Sequence, residues 1–418
     1  MKIVHRICCG IDVHKRSVTA TMASTDADLV TTYATRSFPT LGPGLSELRA
    51  WLAQNGCRDV CMESTGKYWI PVYNALEEGC EVVLTHPKYV RAIKGKKTDA
   101  KDSKWIADLF KHDLVRSSFI PPRDIRACRE LSRYRFKLIG MRTAEKNRYQ
   151  NSMTVSGIGL ANVLSDPFGR TAQDIMAHIL SPGAIDLEAC AKMVRGRAKR
   201  NTGLILDSIS GCEVPPDQAF KMREAGAHMG YLDAMIARTE AELAARLVPY
   251  EAHIRLLTSI PGIDELAAAL VICEIGVDMG VFEDADHLCS WGGLAPASNE
   301  SAGKKKPARV SRAGVYLKPL LVQCASAAVK SKEDPYFAAK YERIKRRRGH
   351  KRAIIAVARM MLVCIYHMLA TGECFNPSDR DRPEAAEPRG PRMTEEAAIG
   401  FLAGLGYDVT ILRKDATA

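Results

Sequence analysis

The chain has no Cys-x-x-Cys pair and no Cys/His spacing of the kind that holds a structural zinc ion. Its thirteen cysteines are odd in number and scattered, which argues against a disulfide framework. Reduced thiols in a cytosolic protein are the expected state. No secretory signal is visible, because the first residues run straight into a strand-like segment carrying His5 and Arg6. A long unbroken apolar run is also missing. The longest stretch, Ala353 to Ala370, contains Arg359 and His367, which predicts a buried helix and no membrane role. Acidic residues are in deficit: Lys and Arg number 60 against 48 Asp and Glu, a net charge of +12. That excess favours polyanionic partners such as DNA or RNA, and it bears on association rate and salt sensitivity rather than on fold.

With 418 residues the chain is long enough for roughly two to four domains with real cores. Its first part alternates strand and helix signals. Ile3–Val13, Ser17–Ala23 and Leu29–Phe38 read as three strands in series, rich in β-branched residues. A short helix, Leu45–Gln54, ends at Asn55-Gly56. Asp59–Glu63 is a strand, Tyr68–Glu78 a helix and Glu81–Thr85 a fifth strand. A helix from about Lys101 to Leu114 is expected to bury Trp105, Ile106, Leu109 and Phe110. Three strands followed by alternating helix and strand predict a mixed sheet flanked by helices.

Four acids fall at telling places on this plan. Asp12 closes the first apolar run and Glu63 the fourth strand; Asp99 and Asp102 lie where the last helix opens. Three apart on a helix, Asp99 and Asp102 share a face. Two divalent ions that clamp the attacking and leaving oxygens of a phosphodiester need several carboxylates converging on one point. Oxygen ligands suit Mg²⁺, which keeps some waters and completes its shell from substrate phosphate. Alone, any one of these acids would be a turn or helix-cap residue. His14, two residues after Asp12, reads as a turn residue.

Beyond Pro121-Pro122 the chain turns helical. Asp124 to about Met153 is one long basic helix, and residues 156–210 hold short helices. A second long helix is expected from Gln218 to Leu257, with Ile236, Leu243, Tyr250 and Leu257 recurring every seven residues and Pro249 threatening the register. The two long helices could pair as a coiled-coil arm. Ile260-Pro261-Gly262-Ile263 resembles a helix-hairpin-helix turn, whose amides near Gly262 would hold one phosphate. A basic run, Lys345 to Arg352, leads into the apolar helix. After Asn376 the composition shifts to a linker and a small appended helix at Glu395–Gly406.

The order of the acids resembles the ribonuclease H-like (RuvC-like) fold, with one acid on the first strand, one on the fourth and the last two on a late helix. GIDVHK (10–15), MESTG (62–66) and KTDAKDS (97–103) precede WGGLAP (291–296) and a downstream Ser-x-Gly. Together with the turn at Gly262, these motifs resemble the DEDD transposases of insertion-sequence family 110, also called bridge-RNA-guided recombinases. The resemblance runs from about Ile7 to Phe375. It implies a metal-binding quartet of Asp12, Glu63, Asp99 and Asp102, with a two-ion Mg²⁺ site. It places Ser301 on the family's nucleophilic serine, with Ser298 close by as the alternative. It implies donor and target DNA as substrates, a structured non-coding guide RNA, and a homo-oligomer, a dimer or tetramer, in which acids of one subunit meet the serine of another.

The expected organisation is therefore a RuvC-like α/β domain over residues 1–122, a helical arm over 123–255, a mostly helical serine-bearing domain over 256–375 and a tail over 376–418. The expected setting is a bacterial cytoplasm, in association with the nucleoid. Lys304, Lys305, Lys306 and Arg309 near Ser301, and Arg346, Arg347 and Arg348 in the basic run, are candidate phosphate contacts that would supply affinity, not sequence choice. Two other readings use the same residues. One is a hydrolytic nuclease or junction resolvase that never uses Ser301. The other is a nucleic-acid-binding protein that keeps the fold without a working site.

Overall fold

The computed structural model describes residues 2–64, 66–87, 90, 98–296, 300–301, 304–305, 310–311, 313–331, 335–376, 395–406 and 408. The chain divides into two compact units, Met1–Arg126 and Ala127–Ala418. Ser298, Lys306 and Arg309 lie outside the described residues.

The first unit is built on a five-stranded mixed sheet. In chain order come β1 (Ile7–Val13), β2 (Ser17–Thr25), β3 (Thr31–Pro39), α1 (Gly42–Gln54), β4 (Asp59–Glu63), α2 (Trp69–Leu76), β5 (Glu81–Thr85) and α3 (Asp99–Lys111). The strand order is β3-β2-β1-β4-β5. The first three strands pair antiparallel, and β1, β4 and β5 run parallel. Side chains alternate across β1, so the adjacent Cys8 and Cys9 serve opposite faces. Cys9, Ile11 and Val13 pack with Leu48, Leu52, Val72 and Leu76 of α1 and α2. Cys8 joins Cys61, Ile106, Ala107 and Phe110 on the α3 side. All thirteen cysteines are free thiols. Burial pushes the Cys8, Cys57 and Cys61 thiols up to about 12, so they are inert filler.

The sheet matches the sequence expectation in type, with shifted edges. Leu29 takes a positive φ of 64° in a turn closed by the Asp26 carboxylate on the Val30 amide, so β3 starts at Thr31. The inward face of α3 also differs from the expected one. Ile106 and Phe110 are buried, but Trp105 and Leu109 are only half-buried. Ser103 and Ala107 are buried instead, because that line of the helix lies against Gly10 of β1. A Cβ at Gly10 would sit 2.3 Å from both the Ala107 nitrogen and the Ser103 oxygen. The helix is held there by a 2.7 Å hydrogen bond between the Ser103 and Thr21 hydroxyls.

A long helix, α4 (Arg123–Val155), leads into the second unit. There follow α5 (Leu160–Val163), α6 (Arg170–Ile179), α7 (Leu187–Met193), α8 (Thr202–Asp207) and the long α9 (Pro216–Leu247). Within this unit α4 and α9 pack antiparallel. Leu138 meets Leu232 and Ile236, and Arg135–Glu240 and Arg142–Asp233 pair at 2.6 Å along the seam. The short helices between them form a separate small core around Leu160, Ile175, Cys190 and Ile205. The expected single helix to Leu257 is broken. One 3₁₀ turn, Val248–Tyr250, separates α9 from α10 (Glu251–Thr258). Pro249 lacks an amide hydrogen and its ring crowds the preceding turn. Tyr250 consequently leaves the buried stripe that Ile236, Leu243 and Leu257 keep.

The rest of the second unit contains α11 (Glu265–Ile275), α12 (Ala285–Trp291), a hairpin of β6 (Glu300–Ser301) and β7 (Lys304–Lys305), α13 (Leu317–Ala328), α14 (Tyr336–Arg348), α15 (His350–Thr371) and α16 (Glu395–Gly404). By length and composition alone α15 could cross a membrane. It is instead the central packing helix of this unit: Ile354, Val357, Met361, Leu362 and Ile365 are buried, and it packs against α10, α12, α13 and α14.

Gly10→Ala should destabilise the first unit by about 3 kcal/mol, since backbone and not a flexible side chain occupies the space. Urea denaturation followed by circular dichroism measures this. A change below about 0.5 kcal/mol would show that α3 does not lie where described.

Candidate active site

Strand register positions the first two acids. Ile11 of β1 is paired with Met62 of the parallel β4. The next residues, Asp12 and Glu63, therefore stand side by side where the central strands end. Asp12 is 7% exposed and Glu63 half-buried. The close approach at Gly10 brings in the other two. Thr98 caps α3 by accepting from the Lys101 amide, which sets Asp99 and Asp102 in the first turn. There the positive end of the helix dipole favours carboxylates.

The histidine read as a turn residue joins this group. His14 Nε2 lies 3.2 Å from Asp12 Oδ2 and 3.4 Å from Asp99 Oδ1. Ligand atoms of Asp12, His14 and Asp99 all fall within 4.8 Å of one another. The signal for His14 was present in the sequence: positions two apart along an extended chain share a face. The structure thus brings Asp12, Asp99 and His14 together directly. Glu63 comes next to Asp12 by register, and Asp102 acts on Asp12 through its charge.

Electrostatics mark the group as short of positive charge. Burial raises the Asp12 carboxyl above its usual range; the neighbouring His14 lowers it, and the like charges of Asp99 and Asp102 raise it again. A cation among these carboxylates would relieve both the burial and the repulsion. Oxygen donors from Asp12 and Asp99 with the His14 imidazole form a set that suits a divalent ion.

The second unit carries the serine hairpin. Ser301 pairs with Lys304, and Glu300 with Lys305, in antiparallel register. The chain entering and leaving this hairpin is clamped at its base. Pro296 bridges to Val310. Gly293 and Gly314, both at positive φ, approach Ala313 and Gly292 so closely that a Cβ on either would sit about 2 Å from a backbone oxygen. Lys318 Nζ then donates to the carbonyls of Ser311 at 2.7 Å, Ala313 at 2.9 Å and Gly293 at 3.4 Å. Lys318 was not singled out in the sequence, where it is one lysine among many.

Two arginines of α4 tie the surroundings of this clamp together. Arg133 makes two 2.8 Å hydrogen bonds to the carboxylate of the buried Glu274, and its guanidinium lies 4.7 Å from the Tyr316 ring centre. Arg129 donates to the Cys273 and Glu274 carbonyls and lies over Trp291. Its burial lowers the guanidinium to about 10. Leaving a buried carboxylate such as Glu274 without these partners would be strongly destabilising.

The remaining predicted contacts are spread through the second unit. Arg346, Arg347 and Arg348 are exposed in the last turn of α14, where the helix dipole favours cations. Gly262 lies between α10 and α11 with a φ of 86°, and a Cβ there would meet backbone of α13 at about 2.5 Å. Packing on α13 thus accounts for this glycine. At the same turn the Ile263 amide bonds to Ile260, and Asp264 caps α11.

Comparison with known proteins bears on both units. A DEDD family model described as "Transposase" matches residues 9–156. One described as "Transposase IS116/IS110/IS902 family" matches residues 254–342. Over 338 residues the chain is 26% identical to the "Insertion element IS110 uncharacterized 43.6 kDa protein" of Streptomyces coelicolor, covering 73% of this chain and 80% of that protein. It is 27% identical over 270 residues to the "Transposase for insertion sequence element IS1328" of Yersinia enterocolitica, covering 64% and 69%. It is 23% identical over 311 residues to an IS116 protein of Streptomyces clavuligerus, covering 69% and 75%.

Asp12→Asn should make the metal-free protein more stable at neutral pH. A carboxyl raised by folding costs stability when ionised. That cost is full above the raised value, shrinks as the pH falls through it, and is gone below the unfolded value of about 4. The stability difference should therefore vanish in acid. Mn²⁺ at about 100 times its Kd should stabilise the wild type by about 2.7 kcal/mol and leave Asp12→Asn unmoved. Thermal denaturation with and without Mn²⁺ at two pH values checks both. For the clamp, Lys318→Met should speed amide exchange at Ser301 and Lys304 without changing exchange in α15. Equal exchange in both proteins would remove the clamp from the account.

Proposed function

The chain belongs to the IS110 family of transposases, and from that premise we propose that it excises and inserts a mobile DNA element by transesterification, with Ser301 as nucleophile. Asp12, Glu63, Asp99 and Asp102 are the metal-holding residues, Mg²⁺ is the ion, and a structured non-coding RNA selects the sites. The observation that carries the metal part is the meeting of Asp12, Asp99 and His14 at the end of the central strand β1. The RNA part rests on the family resemblance and on the basic balance of the chain.

A bound divalent ion would act as a Lewis acid on the scissile phosphate and lower the charge cost of the five-coordinate phosphorus. The protein's own residues do the rest. Ser301 supplies an oxygen that forms a new bond to phosphorus as a deoxyribose oxygen leaves. One phosphoester replaces another, so the bond energy is kept for rejoining. The proton lost by the serine is balanced by the one gained on the leaving sugar oxygen. A serine hydroxyl is a weak nucleophile at neutral pH and needs a base or a metal to activate it. Lys304 and Lys305, on the strand paired with Ser301, are placed in sequence to attract the phosphate. His14 is a positioning residue: its Nε2 lies between the Asp12 and Asp99 carboxylates.

An adduct assay tests this reading. Purified protein is mixed with the RNA from beside its coding region, Mg²⁺ and end-labelled junction DNA, and then run on a denaturing gel. Label should stay with the wild type and be lost with Ser301→Ala and with Asp102→Asn. Normal cleavage by Ser301→Ala without any adduct would assign the chain to hydrolytic nucleases instead.

A further inference from the structure

Apart from the acids and the serine hairpin, a cavity of about 490 Å³ opens between α4 and α9, a size suited to a small planar ligand. Its lining combines groups that are rarely found together without use. Glu145 is only 9% exposed, yet it engages its neighbours through one oxygen. Arg148 Nη1 at 2.6 Å and His228 Nδ1 at 3.0 Å both meet Oε1. Among the described residues Oε2 has no hydrogen-bond partner. Phe220, on the rim, is 62% exposed and has no ring partner among the described residues. Asn151, Ser152, Lys221 and Glu224 complete the polar part of the wall.

We propose that this cavity binds one unstacked nucleobase of a single-stranded nucleic acid, with guanine preferred. An exposed phenyl ring beside a polar wall is the arrangement by which proteins stack and read splayed-out bases. The hydrogen-bonding pattern selects among bases. Guanine presents two adjacent N–H donors, N1 and N2, next to the O6 acceptor. The free oxygen of Glu145 accepts from the donors, while the Arg148 guanidinium, 65% exposed at its side chain, has donors left for O6. Adenine offers one donor group there and inosine lacks the N2 amine. The Lys221 ammonium and the overall positive charge suit the attached phosphates. The inference rests on the nucleic-acid reading above but not on Ser301 or the acids.

The test is fluorescence anisotropy of the full chain with labelled oligouridines that carry one central guanine, inosine or adenine. The guanine oligomer should bind about tenfold tighter than the other two. Phe220→Ala, at an exposed position, should bring all three to one common affinity. Glu145→Gln should remove the guanine preference and leave the salt-dependent background. Equal affinities in the wild type, or a preference that survives Phe220→Ala, would overturn the pocket while leaving nucleic-acid binding intact. Failure of the wild type to bind any oligomer would overturn the nucleic-acid reading as well.

Discussion

The missing side chain at Gly10 sets the distance between α3 and the sheet, and the candidate metal centre depends on that distance. Asp12 and Glu63 are fixed by β1 and β4 whatever the helix does. Asp99 joins Asp12, and Asp102 acts on it through its charge, because α3 lies backbone-to-backbone against β1, with Ser103 tied to Thr21. A protein interior is close-packed, so a single added methyl at such a contact has to move an element. The glycine is thus a packing residue that positions the candidate site, two residues before Asp12.

The same economy runs through the second unit. The serine hairpin has two residues in each strand, far too few for independent stability. Its order comes from the base: two glycines in close contact and one lysine ammonium shared among three carbonyls. That base lies among residues that Arg129 and Arg133 tie to Glu274. In both units backbone contacts and buried charge fix the segments that carry the candidate residues. In the first unit the cost of this arrangement is visible as the raised Asp12 carboxyl.

Much of this was legible in the sequence, for reasons that differ by element. Asp59–Glu63 and Glu81–Thr85 match the expected strands to the residue, because short apolar runs between turn residues leave little choice. The break at Pro249 was legible as a threat, since proline carries its own geometry, although the outcome depended on packing. The four acids were legible as a pattern and not as a site. Order along the chain says which residues to watch; only the register of β1 with β4 and the approach of α3 place them. His14 was discounted because a turn histidine is common, while the pairing with Asp99 is a long-range contact invisible to local reading. Lys318 and the Gly293–Gly314 contact were missed for the same reason. Apolar pattern alone turns Trp105 and Leu109 of α3 inward, whereas the closest contact requires the small Ser103 and Ala107.

The central claim is that residues distant in sequence form one divalent-ion site at the end of the sheet. Iron-mediated backbone cleavage tests it most directly. Fe²⁺ is bound in place of Mg²⁺, ascorbate and peroxide are added, and the protein fragments are mapped by mass spectrometry. Cleavage confined to the neighbourhoods of Asp12, Glu63 and Asp99–Asp102, suppressed by excess Mg²⁺ and by Asp12→Asn, is the predicted result. Cleavage elsewhere, or at one of these segments without the others, would contradict the account.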